Sequence, residues 1–166
     1  ISFEAVKARY VKVLVVHNEG YHPNIIDAAI SVLGVGVGSS CGAYENVRPA
    51  FVSASSVYST SNNYLAENLY DAQTATYWCC SLTNNGGSHE WTIGDLGGIK
   101  CISKIKLMGY AVYAPHYGPE DIDIYVSNGG GDWTLVKQAW NFVPAGTGVY
   151  LEFVFADDGL DNPQGR

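Results

Sequence analysis

Residues 90–110 read EWTIGDLGGIKCISKIKLMGY and carry two of the clearest strand patterns in the chain. Polar and apolar residues alternate from Glu90 to Asp95, and β-branched and apolar residues are frequent from Ile102 to Met108. Alternation with a period of two places successive side chains on opposite faces of an extended backbone. Both segments are therefore predicted to be β-strands.

Further strand patterns recur on either side of this stretch at the spacing that is typical of a β-sandwich. They are rich in β-branched and apolar residues and lie at Tyr10–Val16, Ile25–Leu33, Ile122–Ser127, Trp133–Gln138 and Val149–Phe155. Residues 35–50 instead contain several glycines and serines, and we predict that they form a connection within one domain. The predicted architecture is an all-β sandwich.

The composition agrees with one compact domain. A chain of 166 residues can remove roughly 70% of its unfolded surface from water, so one core is expected over residues 1–166. Nineteen glycines, twelve tyrosines and only 15% charged residues favour short strands joined by tight turns over charged helices.

The charge balance excludes one class of partner. Sixteen acidic and nine basic residues give a net charge of −7, which opposes the neutralisation of phosphates that nucleic-acid binding needs. No apolar run approaches the ~20 residues that span a bilayer, and Ile1 does not begin a signal peptide. The two ends, PQGR and ISFEA, are consistent with cleavage after arginine, so we expect a processed product that is secreted or extracellular.

Four cysteines, Cys41, Cys79, Cys80 and Cys101, permit three complete disulfide pairings. Because Cys79 and Cys80 are adjacent, they either bond each other in a strained bridge or point to opposite faces of a strand. The second arrangement is favoured, with one of them bonded to Cys41 and the other to Cys101. A zinc site is less consistent with adjacent cysteines, since paired zinc thiolates are usually two to four residues apart.

Five segments of the chain resemble the discoidin family, which includes the C-type domains of clotting factors V and VIII and the family 32 carbohydrate-binding modules. They are FVSASSVYST at residues 51–60, NLYDAQTATYW at 68–78, residues 90–110, IDIYVSNGGGDW at 122–133 and KARYVKVLVVHNEGYHPNIIDAAISVLG at 7–34. The last segment resembles the end of the family pattern, although it stands first here. The resemblance implies a jelly-roll sandwich of the galactose-binding type in circularly permuted order, with residues 35–50 joining the usual carboxyl and amino ends.

The resemblance also implies a calcium site at NLYDAQTATYW. Family members wrap the ion in a similar stretch with an aspartate carboxylate, a threonine hydroxyl and carbonyl oxygens, which are the ligands that calcium prefers. Asp71 and Thr76 match this pattern, and Asn68 and Gln73 stand where carbonyl ligands are expected.

Two positions depart from the calcium pattern. Ala72 replaces the usual glycine after the aspartate, and Ala29 lies near the place of an acidic residue in the last strand. The alternative is that Asp71 and Thr76 cap the turn through hydrogen bonds to the backbone.

Ligand binding in the family resides in loops at one end of the sandwich. The matching segments here are residues 58–64, 83–90, 110–120 and 17–24, and they hold all four histidines of the chain. Aromatic faces cover the apolar side of a pyranose while amides, imidazoles and carboxylates bond its hydroxyls, so these loops favour a glycan or glycoprotein as partner. The first candidates are His116, Tyr117 and Tyr113, followed by His89, Tyr21, His22 and Asn63.

Structural roles compete with these assignments. Tyrosines at strand ends commonly pack on the rim of the core, and an isolated loop histidine is often only a surface residue. The resemblance places Trp78, Trp91 and Trp133 inside the core and gives Arg9 a structural role.

Three other functions are alternatives to glycan binding. Binding to acidic phospholipid is disfavoured by the scarcity of Lys and Arg in the loops. An enzyme is disfavoured because no nucleophile elbow, P-loop or HExxH motif is present, and because Asp121 and Asp123 are expected on one solvated strand face rather than across a cleft. A structural unit that self-associates or stands in a tandem array is the remaining alternative.

Overall fold

A computed structural model of the chain describes residues 6–17, 24–35, 41–59, 61–81, 89–109, 119, 121–139 and 149–155, with the backbone alone at residues 17, 24–35 and 41–45. Within these ranges the strands are β1 (Val6–His17), β2 (Asn24–Val35), β3 (Cys41–Val47), β4 (Ala50–Ala54), β5 (Trp78–Cys79), β6 (Glu90–Gly109), β7 (Asp121–Ser127), β8 (Thr134–Ala139) and β9 (Leu151–Val154). A short 3₁₀ helix occupies Ala66–Tyr70. All strand pairs are antiparallel, and the predicted all-β jelly-roll sandwich is confirmed.

The long strand β6 belongs to both layers of the sandwich. Its first half pairs with β1 and β4, and the sheet continues from β1 to β7 and β8. Its second half pairs with β2 and β9, and β2 pairs further with β3 and β5. The two strands predicted in this stretch are therefore one strand.

An irregularity in β6 explains why the sequence shows two patterns. The register with β1 shifts between Ala8 and Tyr10, so residues 96–99 bulge out of the ladder. Gly97 lies at φ = 75°, in the left-handed region that favours glycine, and its N–H donates to Asp95 Oδ1 at 2.8 Å. Alternation is lost at the bulge, although β1 pairs with β6 on both sides of it.

The core lies between the layers. Val11, Val13 and Val15 of β1 are buried with three residues of β7, and Ile105 and Leu107 of β6 join the same cluster. Within the first half of β6, however, the buried positions include Glu90, Thr92 and Gly94, because these residues stand opposite the inward-facing valines of β1. Apolar burial of this kind contributes about 25 cal/mol per Å².

The tryptophans are only partly where the sequence placed them. Trp78 is fully buried, as predicted. Trp91 and Trp133 are half-buried, so their assignment to the core was wrong. Trp91 pairs with Leu14 on the outer face of the sheet, and the ring of Trp133 lies 4.7 Å from Lys12 Nζ.

The prediction that Asp121 and Asp123 share a solvated face was wrong for Asp123, which is only 7% exposed. It pairs with Leu14 of β1 and Gln138 of β8, and the hydroxyl of Tyr125 lies 3.4 Å from its Oδ2. Side chains of the two flanking strands shield such a position from solvent. Alternation along one strand does not reveal this burial, because it depends on which strands are neighbours.

The amino-terminal strand lies inside the sheet. β1 pairs with β6 on one side and β7 on the other, so this amino-terminal strand lies between strands of the carboxyl-terminal half, as the permuted order implies. β1 and β9 lie on the same side of β6, because each stands opposite β2, and they run in the same direction.

The two strands follow one another directly along β6. Val154 pairs with Lys104, the N–H of Phe155 donates to Ser103 O at 2.9 Å, and Val6 pairs with Ile102. The end of β9 and the start of β1 are thus neighbours in one line. The circular permutation stays a prediction, since Ile1 and Arg166 lie outside the described residues.

Two local predictions need correction. Residues 35–50, predicted as a connection, contain the strand β3. It pairs with β2, with Val47 opposite Ile30 at one end of the ladder and Cys41 opposite Val35 at the other. The preferred disulfide scheme was also wrong, because Cys79 and Cys80 are both reduced, whereas Cys101 is disulfide-bonded. The sequence lacked strand periodicity in the first case, and cysteine spacing does not specify pairing in the second.

Candidate ligand-binding site

Both ends of β6 lie at the same end of the sandwich. At its start, the buried carboxylate of Glu90 accepts a hydrogen bond from Ser56 Oγ at 2.8 Å. Trp78 Nε1 donates to the carbonyl of Ser56 at 3.0 Å, and Trp78 pairs with Ile25, which also pairs with Gly109 at the far end of β6. A chain of direct contacts therefore links the two ends of the strand.

This end is where the predicted ligand segments leave the sheet. β1 ends there beside the first residue of β7, since His17 pairs with Asp121 and Val15 pairs with Glu90. The strand ends that flank the four predicted loops thus converge, which supports the expectation that those loops share one end.

Three tyrosines form a cluster at this end, which we call the tyrosine cluster: Tyr58, Tyr64 and Tyr77. The ring centroids of Tyr58 and Tyr64 are 6.1 Å apart with an interplanar angle of 70°, and those of Tyr64 and Tyr77 are 5.1 Å apart at 55°. Edge-to-face and tilted contacts at these distances are favourable for aromatic pairs. The cluster is therefore a built feature of the fold.

The backbone holds the tyrosine cluster in place. The N–H of Tyr58 donates to Cys79 O at 2.7 Å, and the N–H of Cys79 donates to Tyr64 O at 3.3 Å. The N–H of Tyr77 donates to Asn63 O at 3.0 Å, which brings the exposed side chain of Asn63 to the same loop.

Exposure divides the cluster into a contact surface and a support. Tyr58 is 51% exposed and its neighbour Val57 is 37% exposed, whereas Tyr64 and Tyr77 are half-buried. An exposed ring that packs on a half-buried one can stack on the apolar face of a sugar, while nearby hydroxyl and amide groups bond its hydroxyls.

A buried polar network supports this end from below. The carboxylate of Glu90 also accepts a hydrogen bond from the hydroxyl of Ser55, and Ser55 Oγ accepts from the N–H of Trp91 at 2.8 Å. Ser56 Oγ accepts from the N–H of Ser81 at 3.0 Å. The buried charge is thus hydrogen-bonded, as buried carboxylates require.

The structure places two of the seven predicted glycan-binding residues. Asn63 lies in the loop of the tyrosine cluster, and His89 is exposed immediately before β6. His116, Tyr117, Tyr113, Tyr21 and His22 lie outside the described residues. Sequence reasoning included Tyr58 and Tyr64 in a ligand loop without selecting them, and it missed Tyr77, whose only signal is its position beside the buried Trp78.

The Asp71 loop brings together two of the four predicted calcium ligands. Thr76 Oγ1 donates to Asp71 Oδ2 at 2.6 Å, and the N–H of Gln73 donates to Asp71 Oδ1 at 2.8 Å. Asn68 is buried, and its side-chain amide donates to Asn62 O at 2.8 Å. Gln73 is exposed.

These contacts fit a calcium ion in part. Asp71 and Thr76 offer a carboxylate and a hydroxyl side by side, which are suitable oxygen ligands. The same atoms close the turn by themselves, and the described part of the chain contains no group of three or more His, Cys, Asp or Glu side chains placed to hold a metal ion. Calcium would therefore need backbone carbonyls to complete its six to eight ligands.

Ala72 gives the loop an unusual backbone. Its φ of 67° is in the left-handed region, the one such residue other than glycine in the described ranges. Alanine is strained in this conformation, so the surrounding contacts of Asp71 hold it there.

The sequence model of the F5/8 type C domain family matches residues 51–154, which is more than half of the chain. No curated protein and no solved structure matches the chain. Among the described residues, no helix has the length and apolar character to cross a membrane.

Proposed function

Because this chain belongs to the F5/8 type C (discoidin) domain family, whose members are generally non-catalytic modules that bind carbohydrates or phospholipids, we propose that it is a lectin-like adhesion module. Domains of this family occur mostly in extracellular proteins, and we place this one outside the cell. Its ligand is a glycan of the galactose type, bound at the tyrosine cluster.

The exposed ring of Tyr58, which packs on Tyr64 while Tyr64 packs on Tyr77, is the observation that carries the proposal. A pyranose ring has an apolar face of C–H groups and a rim of hydroxyls, and it therefore needs an aromatic surface with polar groups beside it. Asn63 supplies an amide in the same loop. His89, Tyr113, His116, Tyr117, Tyr21 and His22 are proposed to contribute from neighbouring segments.

Phospholipid is the second candidate, and one observation favours it. Val57 and Tyr58 are adjacent, apolar and exposed, which suits insertion into the headgroup region. However, residues 49–99 contain no Lys or Arg but include Glu67, Asp71, Glu90 and Asp95. Attraction to an anionic membrane of about 1 kcal/mol per basic residue is therefore absent from this end of the domain.

We also propose that the Asp71 loop binds calcium in a structural role. The side-by-side placement of Asp71 and Thr76, together with the strained backbone at Ala72, supports a loop shaped around an ion. Calcium here would stabilise the loop that leads into Tyr77 rather than contact the glycan.

The test is binding of the purified chain to immobilised sugars and, in parallel, to phosphatidylserine vesicles. Tyr58→Ala should abolish binding to a galactose-bearing surface with the fold intact, because the side chain is largely exposed. Tyr10→Ala is the matched control, since Tyr10 pairs with Ser127 at the end of β7 that lies away from the His17–Asp121 pair, and it should bind normally. His116→Ala and Tyr117→Ala test the residues outside the described ranges.

Two results would reject the proposal. Vesicle binding without sugar binding would assign the site to lipid, and unchanged sugar binding in Tyr58→Ala would remove the tyrosine cluster from the site. A free monosaccharide should bind weakly, because a shallow site gains little from desolvation, and dense display should strengthen binding by multivalency.

A further inference from the structure

Cys79 and Cys80 are neighbouring thiols directly below the tyrosine cluster. Both are reduced, and they are 4% and 1% exposed. Cys101 in the same chain is disulfide-bonded. The protein therefore combines a structural disulfide with two adjacent thiols that have no structural bridge.

The backbone of Cys79 connects this thiol pair to the ligand surface. Its carbonyl accepts the N–H of Tyr58 at 2.7 Å, and its N–H donates to the carbonyl of Tyr64 at 3.3 Å. Cys79 also pairs with Asn24 in the ladder of β5 and β2. One residue thus fixes two of the three tyrosines and anchors the two-residue strand β5.

The present backbone is incompatible with a bridge between the two sulfurs. Cys79 ends the extended segment β5, in which successive side chains point to opposite faces. Cys80 packs in the core cluster, whereas Cys79 Sγ lies 3.9 Å from the carbonyl of Cys80. A disulfide between neighbours closes a small ring that contains their peptide bond, so it requires a different backbone at both residues.

We propose that Cys79 and Cys80 form a redox modification site that controls the tyrosine cluster: oxidation to a disulfide with each other breaks the Cys79 backbone contacts and weakens ligand binding. The effect on binding rests on the proposed function. The effect on the position of Tyr58 and Tyr64 does not, because it follows from the hydrogen bonds of Cys79 alone.

The chemistry is a thiol–disulfide exchange with a small-molecule disulfide as oxidant. The first cysteine attacks one sulfur of the oxidant, which forms a mixed disulfide and releases one small thiol. The second cysteine then attacks the protein sulfur of the mixed disulfide, which forms the Cys79–Cys80 bond and releases the second small thiol. The two cysteine protons end on the two released thiols, and the two electrons reduce the oxidant.

Burial makes this reaction slow and dependent on local opening. Loss of solvent raises the pKa of the Cys79 thiol to about 12 and that of the Cys80 thiol further, so little thiolate is present at neutral pH. Exposing the two thiols requires partial unfolding around β5, which also carries the fully buried Trp78. Reaction is therefore expected through opening of β5, with a rate that rises in mild denaturant.

The experiment treats the purified chain with oxidised glutathione and then with a reductant. Mass spectrometry of the peptide that contains both cysteines should show the loss of two hydrogen atoms and no glutathione adduct, reversed by reductant. The oxidised chain should lose most of its binding to the immobilised sugar, and its tyrosine fluorescence should change. Cys80→Ala cannot form the bridge, and it should keep its binding under the same oxidant.

The readouts separate this inference from the proposed function. If the reduced chain binds no sugar, the proposed function is rejected. The redox switch is still tested, because oxidant should change the tyrosine fluorescence of the unmodified chain and should not change that of Cys80→Ala. Three results would overturn the inference: no bridge between the two cysteines, a stable glutathione adduct instead of a bridge, or a bridge that leaves tyrosine fluorescence and binding unchanged.

Discussion

At the scale of single residues, the Asp71 loop shows how one side chain can impose a conformation on its neighbour. Both oxygens of the Asp71 carboxylate accept hydrogen bonds, from the N–H of Gln73 and from Thr76 Oγ1. These bonds close the turn with Ala72 at φ = 67°. Local strain of about 1–2 kcal/mol is stored at Ala72, in the loop that leads to Tyr77.

Replacing Ala72 by glycine should relieve this strain. Glycine adopts the left-handed region freely, but it also gains about 0.4–1 kcal/mol of entropy in the unfolded chain. The expected net effect is an increase of up to about 1 kcal/mol in the free energy of unfolding. Urea denaturation measures it, with Ala75→Gly, at a neighbouring exposed position without positive φ, as the control that should lose stability. An Ala72→Gly variant with a lower free energy of unfolding than the unmodified protein would contradict the presence of strain at Ala72.

If calcium binds at Asp71, the melting temperature of the protein should depend on the presence of calcium. Because a ligand that binds only the folded chain adds stability by mass action, a chelator should lower the melting temperature of the unmodified protein. Asp71→Ala should melt lower and should not respond to the chelator. Asp132→Ala removes an exposed carboxylate elsewhere and should keep the response. An unmodified protein whose melting is insensitive to chelator would leave Asp71 as a turn cap alone.

At the scale of elements, β6 determines how the layers meet, and its inward face is shaped by a small residue. Gly94 is buried beneath the 3₁₀ helix and the turn before β4. A Cβ atom at this position would lie 2.4 Å from Pro49 Cβ and 3.0 Å from Tyr70 Cζ. Glycine is therefore required at position 94 because Pro49 and Tyr70 approach its backbone closely, and not because of its φ angle.

Gly94→Ala should destabilise the fold by roughly 1–3 kcal/mol, which is the usual cost of overpacking a core. Gly98→Ala is the matched control in the same strand, because a Cβ there would meet nothing within 4 Å. Chemical denaturation of both variants gives the comparison. Equal stability of the two would show that Pro49 and Tyr70 can move aside without cost.

The bulge of β6 is tied to β1 by an ion pair. Arg9 Nε and Nη2 donate to the two carboxylate oxygens of Asp95 at 3.0 and 2.8 Å, which supports the structural role predicted for Arg9. These bonds, together with the N–H of Gly97, hold the pKa of Asp95 below its usual range. The side chains of Arg9 and Asp95 are 43% and 20% exposed, so water and salt still screen the pair and its contribution is small.

The acid dependence follows from the direction of this pKa shift. A lowered folded pKa contributes stability that is present above the unfolded value of about 3.9 and is lost as the pH falls through the folded value. Asp95→Asn should therefore be less stable at neutral pH and should lose less stability between about pH 4 and the acid transition. Urea denaturation at several pH values measures this, with Asp132→Asn as the control. Parallel curves for Asp95→Asn and the unmodified protein would contradict it.

At the scale of the whole molecule, strand order along the chain differs from strand order in space. β9 and β1, from opposite halves of the sequence, follow one another beside β6 at Lys104 and Ile102. The family match covers residues 51–154, and β1 to β3 lie before it, yet β1 and β2 flank β6 in the middle of the sheet. This arrangement is what the permutation hypothesis requires.

A reordered chain tests that hypothesis. Residues 49–166 followed directly by residues 1–48 should fold to a monomer with the same circular dichroism spectrum and a similar melting temperature, because the break falls between β3 and β4. A second reordered chain that begins within β7, at Ile124, should fail, since it cuts a core strand. Failure of the first chain, or its assembly into a dimer with exchanged strands, would reject the single-chain permutation.

Local composition was sufficient for the strands that are rich in β-branched and apolar residues. β2, β7, β8 and β9 are found close to their predicted bounds, and β1 begins at Val6 instead of Tyr10, because apolar and β-branched runs favour extended backbone wherever they pair. The loop that holds Tyr58, Asn63 and Tyr64 was selected as a ligand segment through the family resemblance, and its role in binding stays a prediction. Local patterns determine local structure in these cases.

Long-range contacts decided the rest. β3 and the short β5 form because β2 offers them hydrogen-bonding partners, and neither has an alternating pattern that marks it as a strand. Tyr77 joins Tyr64 only because the chain returns beside it, and Asp123 is buried only because β1 and β8 flank it. Burial and clustering depend on which strands become neighbours, and that is a property of the folded chain rather than of any one segment.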